Sequence, residues 1–192
     1  MRDRTDDTPR APADTDARER RDPGRASEIA RDQSKRVSPR FRDLDDFECR
    51  TLLARNHVGR LAYSFRDRVS IEPVNYVLED DWLYGRTAPS EKIEVIRRSR
   101  WVGFQVDEIV GVFDWQSAVV HGAFYVLHPD GAPDELTARD RAIQLMRLLI
   151  PETGTAEDPV PHRNIFFRIH MDRLEGRRAT TAPGGDREVP LE

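Results

Sequence analysis

The sequence predicts a small, mostly antiparallel β-barrel with helices packed on its outside. Short apolar runs are separated by tight polar turns, which is the pattern of β-hairpins. Helical segments interrupt these runs only occasionally, so the regular strand–helix alternation of a doubly wound parallel sheet is absent. The 192 residues are enough for one domain with a substantial core. A closed barrel is the simplest way to protect the edges of so many short strands.

The predicted elements follow the order helix, three strands, helix, two strands, helix, strand. Asp45, with Glu48 three residues later, resembles a capping box at the start of the first helix. Pro89 suits the first turn of the second helix, because that turn does not need its missing N–H. The third helix has an apolar stripe. The helices are predicted at residues 43–55, 89–98 and 133–150, and the six strands at 58–64, 69–78, 82–85, 101–106, 113–127 and 165–171.

Both ends of the chain are polar. Residues 1–40 contain almost no apolar side chain beyond Ile29 and Val37, and residues 176–192 have a similar composition. Such segments bury too little apolar surface to offset the entropy lost on ordering. We therefore expect a disordered N-terminal tail at 1–40, a folded domain at 41–175 and a flexible C-terminal tail at 176–192.

Composition excludes several classes of protein. The formal net charge of −4 argues against a protein that coats nucleic acid. Cys49 is the only cysteine, so neither an internal disulfide nor a cysteine-based zinc site is expected, and a reducing cytoplasmic setting fits. We expect no membrane partner, because no apolar run approaches the length of a membrane helix. The five histidines lack metal-site spacing, and no phosphate loop, dinucleotide fingerprint or hydrolase motif occurs.

The start of the second predicted helix is a candidate phosphate site. Backbone N–H groups at a helix start carry partial positive charge and lack partners inside the helix. Thr87 and Ser90 can donate hydroxyl hydrogen bonds, and Lys92 can add a full positive charge. The alternative is that Thr87 and Ser90 are ordinary capping residues and that Lys92 is solvated.

Two segments are candidates for contact with a flat aromatic ring. A proline within a strand indicates an edge or an irregular ladder, which leaves backbone groups free for a ligand. The alternative is that the tyrosine and valine of the first segment are core and that the tryptophan of the second simply packs. The first segment is Pro73, Val74, Asn75 and Tyr76, and the second is Trp115, Gln116 and Ser117.

Residues 58–62, 73–76, 87–92, 102–107 and 115–122, in this order and spacing, resemble the pyridoxamine 5'-phosphate oxidase-like superfamily. They are most similar to the flavin-nucleotide-binding branch that includes nitroimidazole-resistance-type proteins. The resemblance covers residues 44–175 and implies a six-stranded split β-barrel, a homodimer and FMN bound at the dimer interface. It also implies phosphate contacts from residues 87–92 and ring contacts from residues 73–76, with residues 115–117 approaching the ring from one subunit or the other.

The function that the resemblance implies is that of an FMN-dependent oxidoreductase. Electrons from NAD(P)H would pass through the flavin to a small organic acceptor, and no side chain is assigned a catalytic role. Only Arg168 and His170 lie near the place where true pyridoxamine phosphate oxidases have their substrate-binding arginine and histidine, so vitamin B6 oxidation is not expected. Two alternatives remain open. One is a deazaflavin-dependent reductase, and the other is a non-catalytic flavin or haem carrier or sensor, with His121 or His170 as the haem ligand.

Overall fold

The computed structural model describes residues 38–66 and 68–181, and within these ranges it has seven strands and three helices. The strands are β1 (Pro39–Leu44), β2 (Val58–Phe65), β3 (Arg68–Glu79), β4 (Trp82–Thr87), β5 (Trp101–Gly111), β6 (Asp114–Leu127) and β7 (Ile165–Thr181). The helices are α1 (Asp46–Arg55), α2 (Glu91–Arg98) and α3 (Pro133–Met146). No helix in the described ranges is long and apolar enough to cross a membrane.

The strands form one antiparallel sheet that closes on itself. Its order is β1-β7-β4-β3-β2-β5-β6, and β6 also pairs with β7, so six strands make a ring. The seventh strand, β1, pairs with the far end of β7. The predicted fold class is confirmed, with one strand more than expected.

Both ends of the predicted domain differ from the structure. Strand β1 begins at Pro39, just inside the predicted N-terminal tail, and β7 continues to Thr181, beyond the predicted boundary at residue 175. The two strands pair with each other from Pro39 opposite Thr181 to Leu44 opposite Gly176. The remainder of both predicted tails, residues 1–37 and 182–192, lies outside the described residues.

Local sequence explains the start of α1. The Asp45 side chain accepts a hydrogen bond from the Glu48 backbone N–H at 2.8 Å, and the Glu48 carboxylate accepts one from the Asp45 N–H at 3.1 Å. This confirms the predicted capping box. Phe47, the large apolar residue of the first turn, is 77% exposed. The buried side of α1 is instead formed by Cys49, Leu52 and Leu53.

The other two helices differ from prediction at one end each. Helix α2 begins at Glu91 with Ser90 as its N-cap, so Pro89 precedes the helix and does not start it. Helix α3 does begin at Pro133, but it ends at Met146 and not at residue 150.

The barrel interior is filled by aromatic and branched apolar side chains. Tyr76 packs edge-on against Phe104 with ring centroids 4.8 Å apart, and Phe124 stacks on Phe167 at 4.6 Å. A second apolar cluster lies under α3 and includes Tyr84, Met146 and Phe166. Burial of these two clusters accounts for the position of the helices outside the ring.

Strand β3 is the place where the ring opens. Its residues 68–75 pair with β2, whereas its residues 76–79 pair with β4. In the described part of the chain, no strand pairs with the other edge of residues 68–75. Pro73 lies in this stretch, and it fits there because proline has no N–H to offer a neighbouring strand.

Candidate functional site

An open cleft of about 1010 Å³ lies on the outer face of the barrel. It is bounded by residues of β2, β5, β6 and β7 and by the end of β1. Strand pairing places its side chains in rows, because directly opposite residues project to the same face of a sheet. One such row joins Arg60, Gln105, Val119 and Glu175 across four strands. We refer to this cavity as the outer-face cleft.

Polar side chains in the outer-face cleft are connected by hydrogen bonds. Arg60 Nη1 donates to Asp107 Oδ1 at 2.6 Å, and Arg177 Nε donates to Asp43 Oδ1 at 3.3 Å. Gln105 Nε2 donates to Ser117 Oγ at 3.1 Å. The cleft therefore offers two guanidinium groups and an amide that can act as both donor and acceptor.

Trp115 supplies the aromatic surface of the outer-face cleft. It is half-buried, and its ring lies 6.3 Å from that of Phe41, tilted by 55°. Phe41 belongs to β1, the strand that sequence analysis did not predict. Ile109 lies directly opposite Trp115 on β5 and is exposed. A flat apolar group could therefore lie against Trp115 from the solvent side.

Gln116 does not line the cleft with its two neighbours. Alternation along β6 directs it to the opposite face, where its Nε2 donates to Glu108 Oε2 at 2.8 Å. Arg55 and Asn56 also donate to Glu108. These hydrogen bonds, led by those from Arg55, lower the pKa of Glu108 to about 2. Gln116 thus belongs to a network at the end of α1.

The four predicted residues of β3 divide between the two faces. Val74 and Tyr76 are buried in the core, and Tyr76 Oη donates to the Leu53 carbonyl at 2.6 Å. Their side chains are therefore part of the core, which is the alternative considered in the sequence analysis. Pro73 is exposed and lies directly opposite Arg60, so it extends the outer-face row by one strand. Asn75 Oδ1 accepts a hydrogen bond from Arg163 Nη1 at 3.3 Å. Of the four side chains, those of Pro73 and Asn75 are the two on the outer side.

The start of α2 carries a cation that is already paired. Lys92 is buried, and its Nζ donates to Glu72 Oε2 at 2.7 Å. Tyr63 Oη also donates to Glu72, at 2.7 Å. Burial opposes ionisation of Glu72, but the hydrogen bonds from Lys92 and Tyr63 outweigh it, so the pKa of Glu72 is lowered.

The two predicted hydroxyl donors near Lys92 differ in exposure. Thr87 is buried at the end of β4, opposite Ile165 of β7. Ser90 is exposed, and its side chain makes no capping hydrogen bond to α2. Ser90 is therefore free to meet an anion at the helix start, whereas Thr87 is enclosed.

Sequence reasoning missed Glu72, Arg60 and Arg177 as parts of these sites. Alternation along β3 could have revealed Glu72, since Glu72, Val74 and Tyr76 share one face. The same rule of alternation places the Arg60 side chain on the outer face of β2, because its neighbours Gly59 and Leu61 are buried. Arg177 had no such signal, since it was assigned to the C-terminal tail.

A single chain does not bring the two predicted groups into one pocket. Trp115 and Ser117 line the outer-face cleft, but none of the residues predicted around the β3 segment and the α2 start does so. Lys92 and Glu72 lie on the inner side of the sheet, because Glu72 pairs with the buried Leu61. The two groups could meet only if a second chain supplied one of them.

The histidines considered as haem ligands are both partly exposed. His121 Nε2 lies 3.9 Å from Glu175 Oε2, and His170 Nδ1 lies 3.1 Å from Asp172 Oδ1. The His170 ring also packs edge-on against Trp82, with centroids 4.8 Å apart. Among the residues that the structure describes, no cluster of three or more candidate metal ligands occurs.

Comparison with known proteins agrees with the fold. The sequence model of the family described as pyridoxamine 5'-phosphate oxidase matches residues 45–178. A FAD-binding protein from Mesorhizobium loti, solved by crystallography, is 31% identical, with a TM-score of 0.59 over 74% of this chain and 99% of that one. An uncharacterized protein from Rhizobium meliloti is 29% identical over 142 residues, which cover 69% of this chain and 91% of that protein.

A more distant structure shares the same architecture. It is the crystal structure of a candidate 5-nitroimidazole antibiotic resistance protein from Bacteroides thetaiotaomicron, at 16% identity and a TM-score of 0.57. The superposition covers 74% of this chain and 89% of that one. At such low identity the likeness shows the fold alone, and the family assignment rests on the sequence match over most of the described residues. The chain therefore belongs to the pyridoxamine 5'-phosphate oxidase family.

Proposed function

We propose that this protein binds a flavin nucleotide, FMN, and acts as an oxidoreductase that transfers electrons from NAD(P)H to a small organic acceptor. The observation that carries the proposal is the outer-face cleft, in which Trp115 lies beside Gln105 and two arginines. The 31% identity to the FAD-binding protein of Mesorhizobium loti supports a flavin as the ligand. A cytoplasmic location is part of the proposal, and the single buried Cys49 is compatible with it.

The cleft has the chemistry that a flavin needs. An isoalloxazine ring requires an apolar surface, which Trp115 offers, and donors and acceptors at its pyrimidine edge, which Gln105 and Ser117 offer. Arg60 and Arg177 can form charge-assisted hydrogen bonds to a phosphate that competes with their present partners, Asp107 and Asp43. The volume of about 1010 Å³ is at the upper end for small-molecule pockets, so a nucleotide has room.

We further propose that two copies of the chain form a homodimer, with FMN between them. The outer face carries several exposed apolar side chains, namely Ile109 in the cleft and Val58, Val69 and Ile71 on β2 and β3. Exposed apolar patches on a soluble protein mark interaction surfaces. A dimer would also let Pro73, Asn75, Ser90 and Lys92 of one subunit approach the same flavin as Trp115 of the other, which a single chain does not allow.

The residues of this chain would bind and orient the cofactor. Trp115 would support one face of the ring, and the arginines with Lys92 would hold the phosphate. When bound, a flavin supplies two-electron transfer between a nicotinamide and an acceptor. The dimer contact would exclude water from the face of the ring that Trp115 does not cover.

Substitution of Trp115 tests this assignment. The purified full-length protein is titrated with FMN, and binding is followed by visible absorbance and by quenching of flavin fluorescence. Trp115→Ala should raise the Kd for FMN roughly tenfold, because it removes the stacking surface of the ring. Trp101→Ala is the matched control. Trp101 lies at the start of β5, is 66% exposed and does not line the cleft. Absence of binding at micromolar FMN, or an equal effect of both substitutions, would refute the flavin site.

The same preparation separates the flavin-based alternatives. Parallel titrations with FAD and with a deazaflavin establish which cofactor binds most tightly. Anaerobic addition of NADH or NADPH then shows whether the bound flavin is bleached. Bleaching supports the oxidoreductase, whereas a flavin that neither nucleotide reduces supports a carrier or sensor.

A further inference from the structure

We propose that a second cavity binds a small organic anion, one that carries a phosphate or carboxylate group on an apolar body. This cavity measures about 500 Å³ and lies between the end of α2, the end of β6, the start of α3 and the start of β7. It shares no lining residue with the outer-face cleft. We refer to it as the arginine pocket.

Three arginines line the arginine pocket, namely Arg97, Arg100 and Arg168. Arg97 has a distant partner, since its Nη1 lies 3.6 Å from Glu94 Oε1. Arg100 and Arg168 make no ion pair with any residue in the described ranges. Guanidinium groups without a carboxylate partner are suited to bind a planar or tetrahedral oxyanion through paired hydrogen bonds.

Aromatic rings hold two of these guanidinium groups in place. The Arg168 guanidinium carbon lies 4.0 Å from the centroid of the Trp82 ring, and that of Arg100 lies 5.2 Å from the centroid of Tyr125. Trp82 and Tyr125 themselves pack edge-on, with centroids 5.8 Å apart. A guanidinium that is already ordered loses less side-chain entropy when a ligand binds.

Arg168 has an unused donor. Its Nε is buried and has no hydrogen-bond partner among the described residues, and it is the only buried side-chain atom in those ranges with this property. A buried donor without a partner is unfavourable, and Arg168 is one of the residues that line the pocket. This observation is independent of the cavity and of the charge count, and it favours a ligand at the same place.

The remaining walls limit the charge and polarity of the ligand. Ile96, Phe124 and Leu127 are buried and give the pocket an apolar side. Asp134 and Glu135 also line it, although the Glu135 carboxylate already accepts from the His128 N–H at 2.6 Å. The three arginines and two carboxylates together give the lining one net positive charge, which favours a ligand with one anionic group. The volume of about 500 Å³ is suited to a single ring or short chain attached to that group.

The test is calorimetric titration of the full-length protein with phenyl phosphate and with benzoate, with and without saturating FMN. Inorganic phosphate is titrated in parallel, to measure what the apolar body contributes. We expect saturable binding of one molecule per chain by phenyl phosphate or benzoate, unaffected by FMN and weakened by added salt. Whichever of the two binds more tightly identifies the anionic group. Binding of inorganic phosphate as tightly as phenyl phosphate would contradict a role for the apolar wall.

Three substitutions locate the binding. Arg100→Gln and Arg168→Lys should each weaken it roughly fivefold or more, because each removes a guanidinium fork. Arg139→Gln is the matched control, since Arg139 also stacks on an aromatic ring, 5.3 Å from that of Phe166, but does not line the pocket. If Arg168→Lys fails to fold, Arg100→Gln decides, because Arg100 is exposed between α2 and β5.

Several results would overturn the proposal. These are the absence of saturable binding by both phenyl phosphate and benzoate at millimolar concentration, an equal loss in Arg139→Gln, and displacement of the bound anion by FMN. The last result would assign the anion to the flavin site.

Discussion

Lys92 shows how one contact changes the role that can be inferred for a residue. By itself, a lysine in the first turn of a helix indicates an anion site. In the structure its ammonium group is buried and already neutralised by Glu72, which lies on a neighbouring strand. A phosphate that binds Lys92 must therefore compete with this carboxylate. The pKa of Glu72 is lowered despite its burial, so the competing charge persists throughout the neutral pH range.

Glu72→Gln should therefore tighten FMN binding, if Lys92 contacts the phosphate as proposed. Removal of the competing carboxylate leaves Lys92 with a neutral partner, and we expect the Kd for FMN to fall roughly three- to tenfold. Riboflavin lacks the phosphate, so its Kd should not change. Glu94→Gln is the control, because Glu94 is an exposed residue of the same helix. Equal Kd values for FMN in wild type and Glu72→Gln would exclude Lys92 from the phosphate site.

Residues with local partners were the ones that could be predicted from sequence. Asp45 and Glu48 cap each other three residues apart, so their spacing was sufficient. The partners Lys92 and Glu72 are twenty residues apart, and only the closing of the barrel brings them together. Tyr76 gave a mixed signal, because a tyrosine in a strand can face a ligand or, as here, donate from the core.

Among the elements, the segment between α3 and β7 depends on one buried ion pair. Arg86 of β4 and Asp158 are hydrogen-bonded, and their side chains are only 3% and 4% exposed. Asp158 also accepts from the backbone N–H groups of Gly154 and Val160, at 2.9 and 3.0 Å. Arg163, from the same segment, reaches Asn75 at the open edge of β3. This pair therefore anchors the segment that flanks the proposed ligand edge.

Asp158→Asn should lower the melting temperature by roughly 10 °C, since it leaves the Arg86 guanidinium buried without a counter-ion. Thermal unfolding followed by circular dichroism measures the change. Glu157→Gln, at an exposed position next to it, should have no effect. An Arg86→Met/Asp158→Leu double variant should recover part of the loss, because it removes both charges. A melting temperature equal to that of wild type in Asp158→Asn would show that the pair does not anchor the segment.

The end of α1 gives the protein a pH dependence. Glu108 has an ordinary pKa of 4.5 and a folded-state pKa of about 2, held there by Arg55, Asn56 and Gln116. Because the pKa of Glu108 is lower in the folded state, the contribution of its carboxylate to folding stability is complete above pH 4.5. That contribution is lost as the pH falls towards 2. In Glu108→Gln, the melting temperature should be lower at pH 7 and should decline less steeply between these pH values. An unchanged slope would assign the acid sensitivity to other carboxylates.

Strand β1 shows why one element could not be predicted. Its sequence, Pro39 to Leu44, alternates arginine with few apolar residues and carries no strand signal of its own. It is a strand because β7 continues to Thr181 and offers it an edge, and because Phe41 packs near Trp115. By contrast, the predicted strands at 69–78 and 82–85 left a short gap for a turn, and the structure has that turn at Asp80 and Asp81. Asp80 has the left-handed φ of 51° that aspartate tolerates.

At the scale of the whole molecule, the barrel was predictable but the site was not. Hairpin spacing fixes three strand pairs, β2–β3, β3–β4 and β5–β6, and the fold class follows from them. Closure depends on β7, which pairs with β1, β4 and β6. The outer-face cleft arises from that closure, so its combination of Arg60, Gln105 and Arg177 could not be predicted from segments.

The proposed dimer gives the last prediction. Ile71 is 65% exposed on the outer face, so Ile71→Asp should cost a monomer little stability while placing a charge in the interface. Light scattering after size exclusion should give twice the chain mass of 22.2 kDa for the wild type and the single mass for Ile71→Asp. Because FMN is proposed to contact both subunits, the Kd for FMN should rise in this variant at least tenfold.

The control for this prediction lies on another part of the surface. Leu148 is 74% exposed just after α3, so Leu148→Asp changes charge and hydrophobicity in the same way but should leave mass and FMN affinity unchanged. A wild-type protein of single mass that still binds FMN tightly would contradict the shared site. In that case one chain would have to complete the pocket, and the separation of Lys92 from Trp115 within the chain would exclude one of them from contact with the flavin.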